Sequence, residues 1–141
     1  MVDRPLDDMS ELEVMGRTLW VEVRGELIAG KIGVANVIMN RVARGGWWGD
    51  TIKKVCLFPF AFSGWNKNDV NYEALRKVAP NEHSLIICRT VAEIAAMGAL
   101  KDTVEESCHY HDNSIGFPAS WGPPKEPVKI IGRLKFYNNV R

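Results

Sequence analysis

Glu22 is the residue in this chain whose type and position most favour acid–base chemistry. It follows Leu19 by three residues and precedes Val23, so it lies at the border of an apolar helix face. A carboxyl group at that border can be partly desolvated, and desolvation raises its pKa. A carboxyl group that stays protonated near neutral pH can act as a general acid. The alternative is a surface carboxylate paired with Arg17 or Arg24.

Two histidines form a second candidate site. His109 and His111 are two residues apart on a predicted strand, so their side chains leave one face and that of Tyr110 leaves the other. Two imidazoles on one face could bind zinc with a carboxylate as third ligand, or could form hydrogen bonds to a polar polymer. A half-buried pair on an open sheet face is the structural alternative. The H-x-H spacing leaves all of these open.

Aromatic residues outside regular helices are candidates for stacking on sugar rings. Trp65 follows Ser63 and Gly64 in a segment dense in aromatic residues with glycine and proline, and we predict that it forms a wall of a cleft. The other candidates are Phe60, Phe62, Tyr110, Trp121 and Tyr137, and core packing explains Phe60 and Phe62 equally well. P-loop, GxGxxG, GxSxG and HExxH motifs are absent from the sequence, so we expect no nucleotide cofactor, no metal cofactor and no α/β-hydrolase triad.

Helices are predicted to position these residues, together with a small sheet. Ser10 and Glu13 have the spacing of a capping box, and the helix that they begin should stop at Gly25. Further helices are predicted over 30–44, 72–79 and 82–97, and strands over 106–111 and over 128–137, the latter divided at Gly132. Residues 115–127 should form an ordered loop. The predicted fold class is α+β, mainly helical with a small antiparallel sheet near the C-terminus.

Composition limits the class of protein. With 141 residues, 46% hydrophobic and 25% charged, the chain is expected to form one domain. Its net charge of +1 gives no general attraction to nucleic acid or to an anionic membrane. The sequence has no apolar run near the roughly 20 residues of a membrane span. Cys56, Cys88 and Cys108 are odd in number and widely spaced, which predicts buried free thiols.

The order of several segments resembles the SleB-type cell wall hydrolases, which include spore-cortex-lytic enzymes and related phage lysins. The resemblance covers roughly residues 14 to 138. It is carried by Gly16–Glu26, Gly30–Val42, Phe62–Trp65, Cys108–His111, Pro118–Trp121 and Ile131–Tyr137. Each motif alone is weak, and their common order gives the resemblance its weight.

The resemblance implies a lysozyme-like or transglycosylase-like body that cleaves peptidoglycan between N-acetylmuramic acid and N-acetylglucosamine. Glu22 matches the catalytic glutamate of the family. The residues implied to line the groove are Ser63, Trp65, His109, Tyr110, His111 and Trp121, with Arg24, Glu26 and Asn40 in supporting roles.

The number of carboxylates bears on the reaction that the resemblance implies. A transglycosylase needs one carboxyl group, whereas a hydrolase normally uses two. Glu26 and Asp112 are the candidates for a second, and the lack of a plain one favours the transglycosylase. Asp112 replaces an asparagine of the relatives, so its charge is expected to raise the pKa of the two histidines.

The expected setting follows from what the sequence lacks. No Sec signal begins the chain, and residues 1–141 are expected to be a catalytic domain without a wall-binding module. We therefore expect a monomeric phage endolysin that is made in the host cytoplasm, leaves through a holin-type pore and binds peptidoglycan glycan strands, without nucleic acid or stable membrane association. The alternatives are a metal-dependent peptidoglycan amidase or peptidase that uses His109 and His111, and a non-catalytic wall-binding domain.

Overall fold

The structure, a computed structural model, describes residues 8–59 and 61–140. The candidate Phe60 lies outside the described residues. The helices are α1 (Glu11–Val23), α2 (Ile28–Arg44), α3 (Ile52–Leu57), α4 (Tyr72–Lys77) and α5 (His83–Ala96), and the strands are β1 (His109–Asp112), β2 (Lys129–Ile131) and β3 (Leu134–Tyr137). The predicted α+β class, mainly helical with a small C-terminal sheet, is confirmed.

Helix α1 forms the centre of the helical body and carries Glu22 near its end. The Ser10 side chain accepts a hydrogen bond from the backbone N–H of Glu13, as the capping box predicts. Apolar residues such as Met15 and Leu19 are fully buried and help pack α1 against the other four helices. Glu22 therefore lies at the edge of the buried face of α1, next to the buried Val23.

The three strands form an antiparallel sheet in the order β1-β3-β2. His109 pairs with Tyr137, and Tyr110 pairs with Phe136. Strand β1 begins at His109, not at residue 106, because Glu105 and Glu106 have φ angles of 51° and 62°. That left-handed backbone forms a turn and is incompatible with a strand.

Helix α2 supports the sheet through a close contact at Gly33. A Cβ atom at that position would lie 2.8 Å from Cζ of Phe136 and 3.3 Å from Cδ1 of Ile131. Phe136 is completely buried. The missing side chain thus lets strand β3 lie directly on the helix.

Polar side chains of α2 hold the chain that leads into β1. The amide of Asn36 donates to the carbonyl of Lys101 and accepts from the backbone N–H of Thr103. The amide of Asn40 donates to the carbonyl of Ser107 at 3.0 Å. The next residue, Arg41, donates from Nε to the carbonyl of Cys108 at 2.8 Å. These bonds fix the backbone immediately before His109.

Cys56, Cys88 and Cys108 are free and buried, which confirms the prediction from their spacing. Burial raises the pKa of Cys56 to about 12 and that of Cys88 to about 11, so both stay protonated thiols. Among the described residues, no helix has the length and apolar character needed to cross a bilayer.

The contact at Gly33 predicts a measurable loss of stability. The Gly33→Ala variant gains about 1 kcal/mol of helix propensity, but its methyl group collides with Phe136, and overpacking typically costs about 1–3 kcal/mol. We expect a net fall of about 1 kcal/mol in the free energy of unfolding, measured by urea denaturation. Gly25→Ala is the control, because a Cβ at Gly25 meets nothing within 4 Å. Equal effects in both variants would contradict the close contact.

Candidate active site

A groove of about 610 Å³ lies between the end of α1, strand β1 and the aromatic loops. Its lining combines carboxylates, imidazoles and aromatic rings. The lining residues are Glu22, Glu26, Arg41, Trp47, Trp48, Phe58, Pro59, Ala61, His109, Tyr110, His111, Asp112, Ile115, Ser120, Trp121 and Leu134. Five of the sequence candidates, Glu22, His109, Tyr110, His111 and Trp121, are thus brought together, with Glu26 beside them.

Glu22 lies where the helical body meets the sheet. Its Oε1 accepts a hydrogen bond from the hydroxyl of Tyr110. Water reaches the side chain from the groove, but protein atoms crowd the carboxyl group, and this desolvation raises its pKa. Tyr110 acts in the opposite direction, since its hydrogen bond stabilises the carboxylate, and the nearby charge of Asp69 raises the pKa further. The net effect is a pKa of Glu22 above its ordinary value.

The hydroxyl of Tyr110 is held in its donor form. Burial raises the pKa of Tyr110 well above its usual value, and the adjacent Glu22 raises it further. Its ring lies 5.9 Å from that of Phe136, on the face of the sheet opposite the two histidines. The predicted alternation of side chains along β1 is therefore confirmed, although all three residues border the groove.

His109 and His111 pack into an aromatic cluster under the loop that precedes β2. The ring of Trp121 lies 5.0 Å from His109 and 5.9 Å from His111. Tyr137 stacks on His111 at 5.4 Å, and its hydroxyl lies 2.8 Å from Nε2 of that histidine. Nδ1 of His111 lies 2.9 Å from the carbonyl of Asp112, so both of its ring nitrogens have partners.

The charge state of His109 differs from the sequence-based expectation. Asp112 was expected to raise the pKa of the histidines, and this is wrong for His109. Burial, together with the charges of Arg41 and Arg44, lowers the pKa of His109 to about 4. Asp112 instead engages Arg133 at 3.1 Å and the backbone of Ser114. His109 is consequently neutral at physiological pH.

Arg41 is a groove residue that the sequence reasoning missed. Its guanidinium lies 5.2 Å from the ring of Trp48 and 5.6 Å from that of Phe62. Nη1 of Arg41 and Nδ1 of His109 are both buried without a hydrogen-bond partner among the described residues. Such unsatisfied donors and acceptors are rare and occur at functional sites. In the sequence, Arg41 could have been recognised as a charged residue at a core-facing position of α2.

The other predicted site residues lie away from the groove wall. Trp65 is a core residue, 8% exposed, and its Nε1 donates to the hydroxyl of Thr18 at 2.9 Å. This corrects its prediction as a cleft wall, because the described groove lining contains Trp47, Trp48 and Trp121 but not Trp65. Ser63 is exposed beside Trp65, outside the described groove lining, and the candidate Phe62 is buried in the core.

The supporting residues have mainly structural contacts. Arg24 places its guanidinium 4.1 Å from the ring of Trp20 and donates to the carbonyl of the same residue, so it closes the end of α1. Asn40 holds Ser107, as described above. Glu26 places its side chain in the groove next to Glu22. In the part of the chain that the structure describes, no group of three His, Cys, Asp or Glu residues is arranged to hold a metal ion.

Comparisons with known proteins agree with this architecture. The model of the Cell Wall Hydrolase family matches residues 25–137, which is most of the chain. The chain belongs to the cell wall hydrolase family. The match begins at Gly25, so it includes strand β1 and the aromatic loops, whereas Glu22 lies just before it. A search of curated protein sequences finds no match.

Two solved structures share the fold of this cell wall hydrolase. The catalytic domain of the Bacillus cereus SleB protein is 24% identical, with a TM-score of 0.69 and coverage of 97% of each chain. The catalytic domain of the germination-specific lytic transglycosylase SleB from Bacillus anthracis is 23% identical, with a TM-score of 0.69, and covers 95% of this chain and 99% of its own. At these identities the likeness establishes the fold.

The hydrogen bond between Tyr110 and Glu22 predicts a shift in the pH profile. If Glu22 must be protonated to act, activity is lost as the pH rises through its pKa. Tyr110→Phe removes a donor that stabilises the carboxylate, so the pKa rises and the alkaline limb of kcat/KM moves to higher pH. The matched variant Asp69→Asn removes a negative charge and should move that limb to lower pH. Profiles that move together, or not at all, would contradict this electrostatic assignment.

Proposed function

We propose that this cell wall hydrolase is a lytic transglycosylase that cleaves peptidoglycan between N-acetylmuramic acid and N-acetylglucosamine, with Glu22 as general acid and base. The observation that carries the proposal is the Glu22 carboxyl group, whose pKa is raised in an open groove and which accepts a hydrogen bond from Tyr110. Family membership supports a cell wall substrate. The fold shared with the Bacillus anthracis lytic transglycosylase supports the reaction class.

The transglycosylase reaction needs one carboxyl group, which acts first as a general acid and then as a general base. Protonated Glu22 donates its proton to the glycosidic oxygen as the bond from that oxygen to C1 of the muramoyl sugar breaks. The C6 hydroxyl of the same sugar then attacks C1 and returns its proton to the Glu22 carboxylate. The product is a 1,6-anhydro sugar, and no water is consumed. A raised pKa suits the first step, because the acid must be protonated when the substrate binds.

Uncharged hydrogen-bonding groups lie beside Glu22 in the groove. His109 is uncharged, and the phenol of Tyr110 remains protonated. Trp47 and Trp121 add ring surface to the same groove. Hydroxyl and acetamido groups of a glycan can form hydrogen bonds with such a lining, and the apolar faces of sugar rings can pack on the aromatic rings.

Hydrolysis by a muramidase is a second candidate, which the position of Glu26 favours. Its carboxylate borders the same groove as Glu22 and could activate a water molecule. Asp112 is less suited to that role, because its carboxylate already binds Arg133 and the backbone of Ser114.

Replacing the proposed acid tests the assignment directly. Glu22→Gln keeps the shape and the contact with Tyr110 but cannot donate a proton, so we expect at least a hundredfold loss, on the order of 10²–10⁴ for a general acid. The measurement is release of soluble fragments from purified peptidoglycan, with thermal unfolding to verify the fold. Full activity in this variant would refute the role of Glu22. Loss of activity in EDTA, with release of amino groups, would instead indicate a metal-dependent amidase or peptidase.

Mass spectrometry of the products distinguishes the two glycosidase reactions. A transglycosylase yields anhydro-muropeptides, which are lighter than the hydrolytic products by one water, and Glu26→Gln should still form them. Reducing-end products that disappear in Glu26→Gln would establish the muramidase instead. Binding to peptidoglycan without any soluble product would indicate a wall-binding domain.

A further inference from the structure

A second cavity of about 630 Å³ adjoins the candidate active site. The two cavities share four lining residues, which we call the aromatic shelf: Trp47, Trp48, Phe58 and Pro59. A ligand that fills the groove beside Glu22 can therefore continue across this shelf without leaving the surface of the protein.

Trp47 is the most unusual residue of the aromatic shelf. It is 68% exposed, whereas Trp48 next to it is 6% exposed. Large apolar side chains that stand exposed at the edge of a cavity often mark binding surfaces. An indole in that position offers a flat apolar face to a ligand in the groove.

Two neighbouring rings support the side chain of Trp47. Its ring stacks on Trp48 at 5.8 Å with an interplanar angle of 26°, and it meets the edge of Phe58 at 4.9 Å and 87°. Trp48 is itself held by the guanidinium groups of Arg41 and Arg44, at 5.2 and 5.9 Å. Because the ring is already ordered, little conformational entropy is lost when a ligand stacks on it.

Polar side chains also line the second cavity. Thr51 and Lys54 are among them, and the exposed ammonium group of Lys54 lies 3.3 Å from a carboxylate oxygen of Asp50. An apolar platform bordered by a hydroxyl and an ammonium group matches a pyranose ring, which has an apolar C–H face and polar hydroxyl groups at its edge.

We infer that the aromatic shelf is a further saccharide-binding subsite, in which Trp47 stacks on a sugar of the glycan strand beyond the units held at Glu22. This inference rests on the proposed function and specifies the length of substrate that the same groove takes. Longer strands should bind more tightly than short ones because they reach this platform.

The test is the length dependence of cleavage in Trp47→Ala. Glycan strands stripped of stem peptides are separated into the shortest strands that the unaltered protein cleaves and long strands. An aromatic stacking contact of the usual strength predicts that KM for long strands rises about tenfold, and that KM for the shortest strands rises by a smaller factor, because Trp47 also borders the groove beside Glu22. Trp47→Tyr, which keeps an aromatic face, should recover most of the lost affinity.

A control and a second measurement separate this effect from general damage. Met97→Ala removes another exposed apolar side chain, 75% exposed and outside the described lining of both cavities, and should leave KM unchanged. Calorimetric binding of long strands in a Glu22→Gln background should weaken by a similar factor when Trp47→Ala is added.

The outcomes distinguish the subsite from the function on which it rests. If the unaltered protein is active but Trp47→Ala changes KM equally, or not at all, for short and long strands, the subsite is refuted and the function stands. If the loss appears only with strands that carry stem peptides, the shelf binds peptide and the inference is wrong. A chain that cleaves no glycan of any length refutes the proposed function and the subsite together.

Discussion

The contact between Tyr110 and Glu22 joins two parts of the fold that are 88 residues apart in sequence. Glu22 belongs to the helical body and Tyr110 to the small sheet, so their separation is set by how the sheet rests on α2. The missing side chain of Gly33 brings β3 onto that helix, and Asn40 and Arg41 fix the backbone that enters β1. The environment of one carboxyl group thus depends on packing far from the groove.

Two titratable side chains in the groove, Glu22 and His109, both shift toward their neutral forms. Desolvation raises the pKa of Glu22 and lowers that of His109. Arg41 supplies positive charge at the same place, which reinforces the effect on His109. A raised pKa of Glu22 favours retention of its proton for chemistry, and the neutral imidazole of His109 leaves a hydrogen-bonding group for a hydroxyl or acetamido group of the glycan.

Local patterns in the sequence predicted most of the elements but not all of the groove. The cap at Ser10, the apolar stripe of α1 and the alternation along β1 depend on neighbouring residues, and they appear as predicted. Which of the tryptophans line the groove cannot be predicted from such local patterns. Trp65 packs in the core, where its Nε1 donates to the hydroxyl of Thr18, 47 residues away, and Trp47 and Trp121 line the groove instead. The left-handed backbone at residues 105 and 106 likewise gave no recognisable glycine or asparagine signal.

The pairing of β1 with β3 has a consequence for how this protein can misfold. In the described sheet β1 is an edge strand, held in place along its length by a single neighbour. Because side chains alternate, a slip of one residue would point a histidine at Glu22 and bury the tyrosine among the aromatic rings. Such a misfolded form would keep its helices, and its circular dichroism would look native. An inert preparation with an intact spectrum is the outcome expected of such an error, and residue-level methods would be needed to identify it.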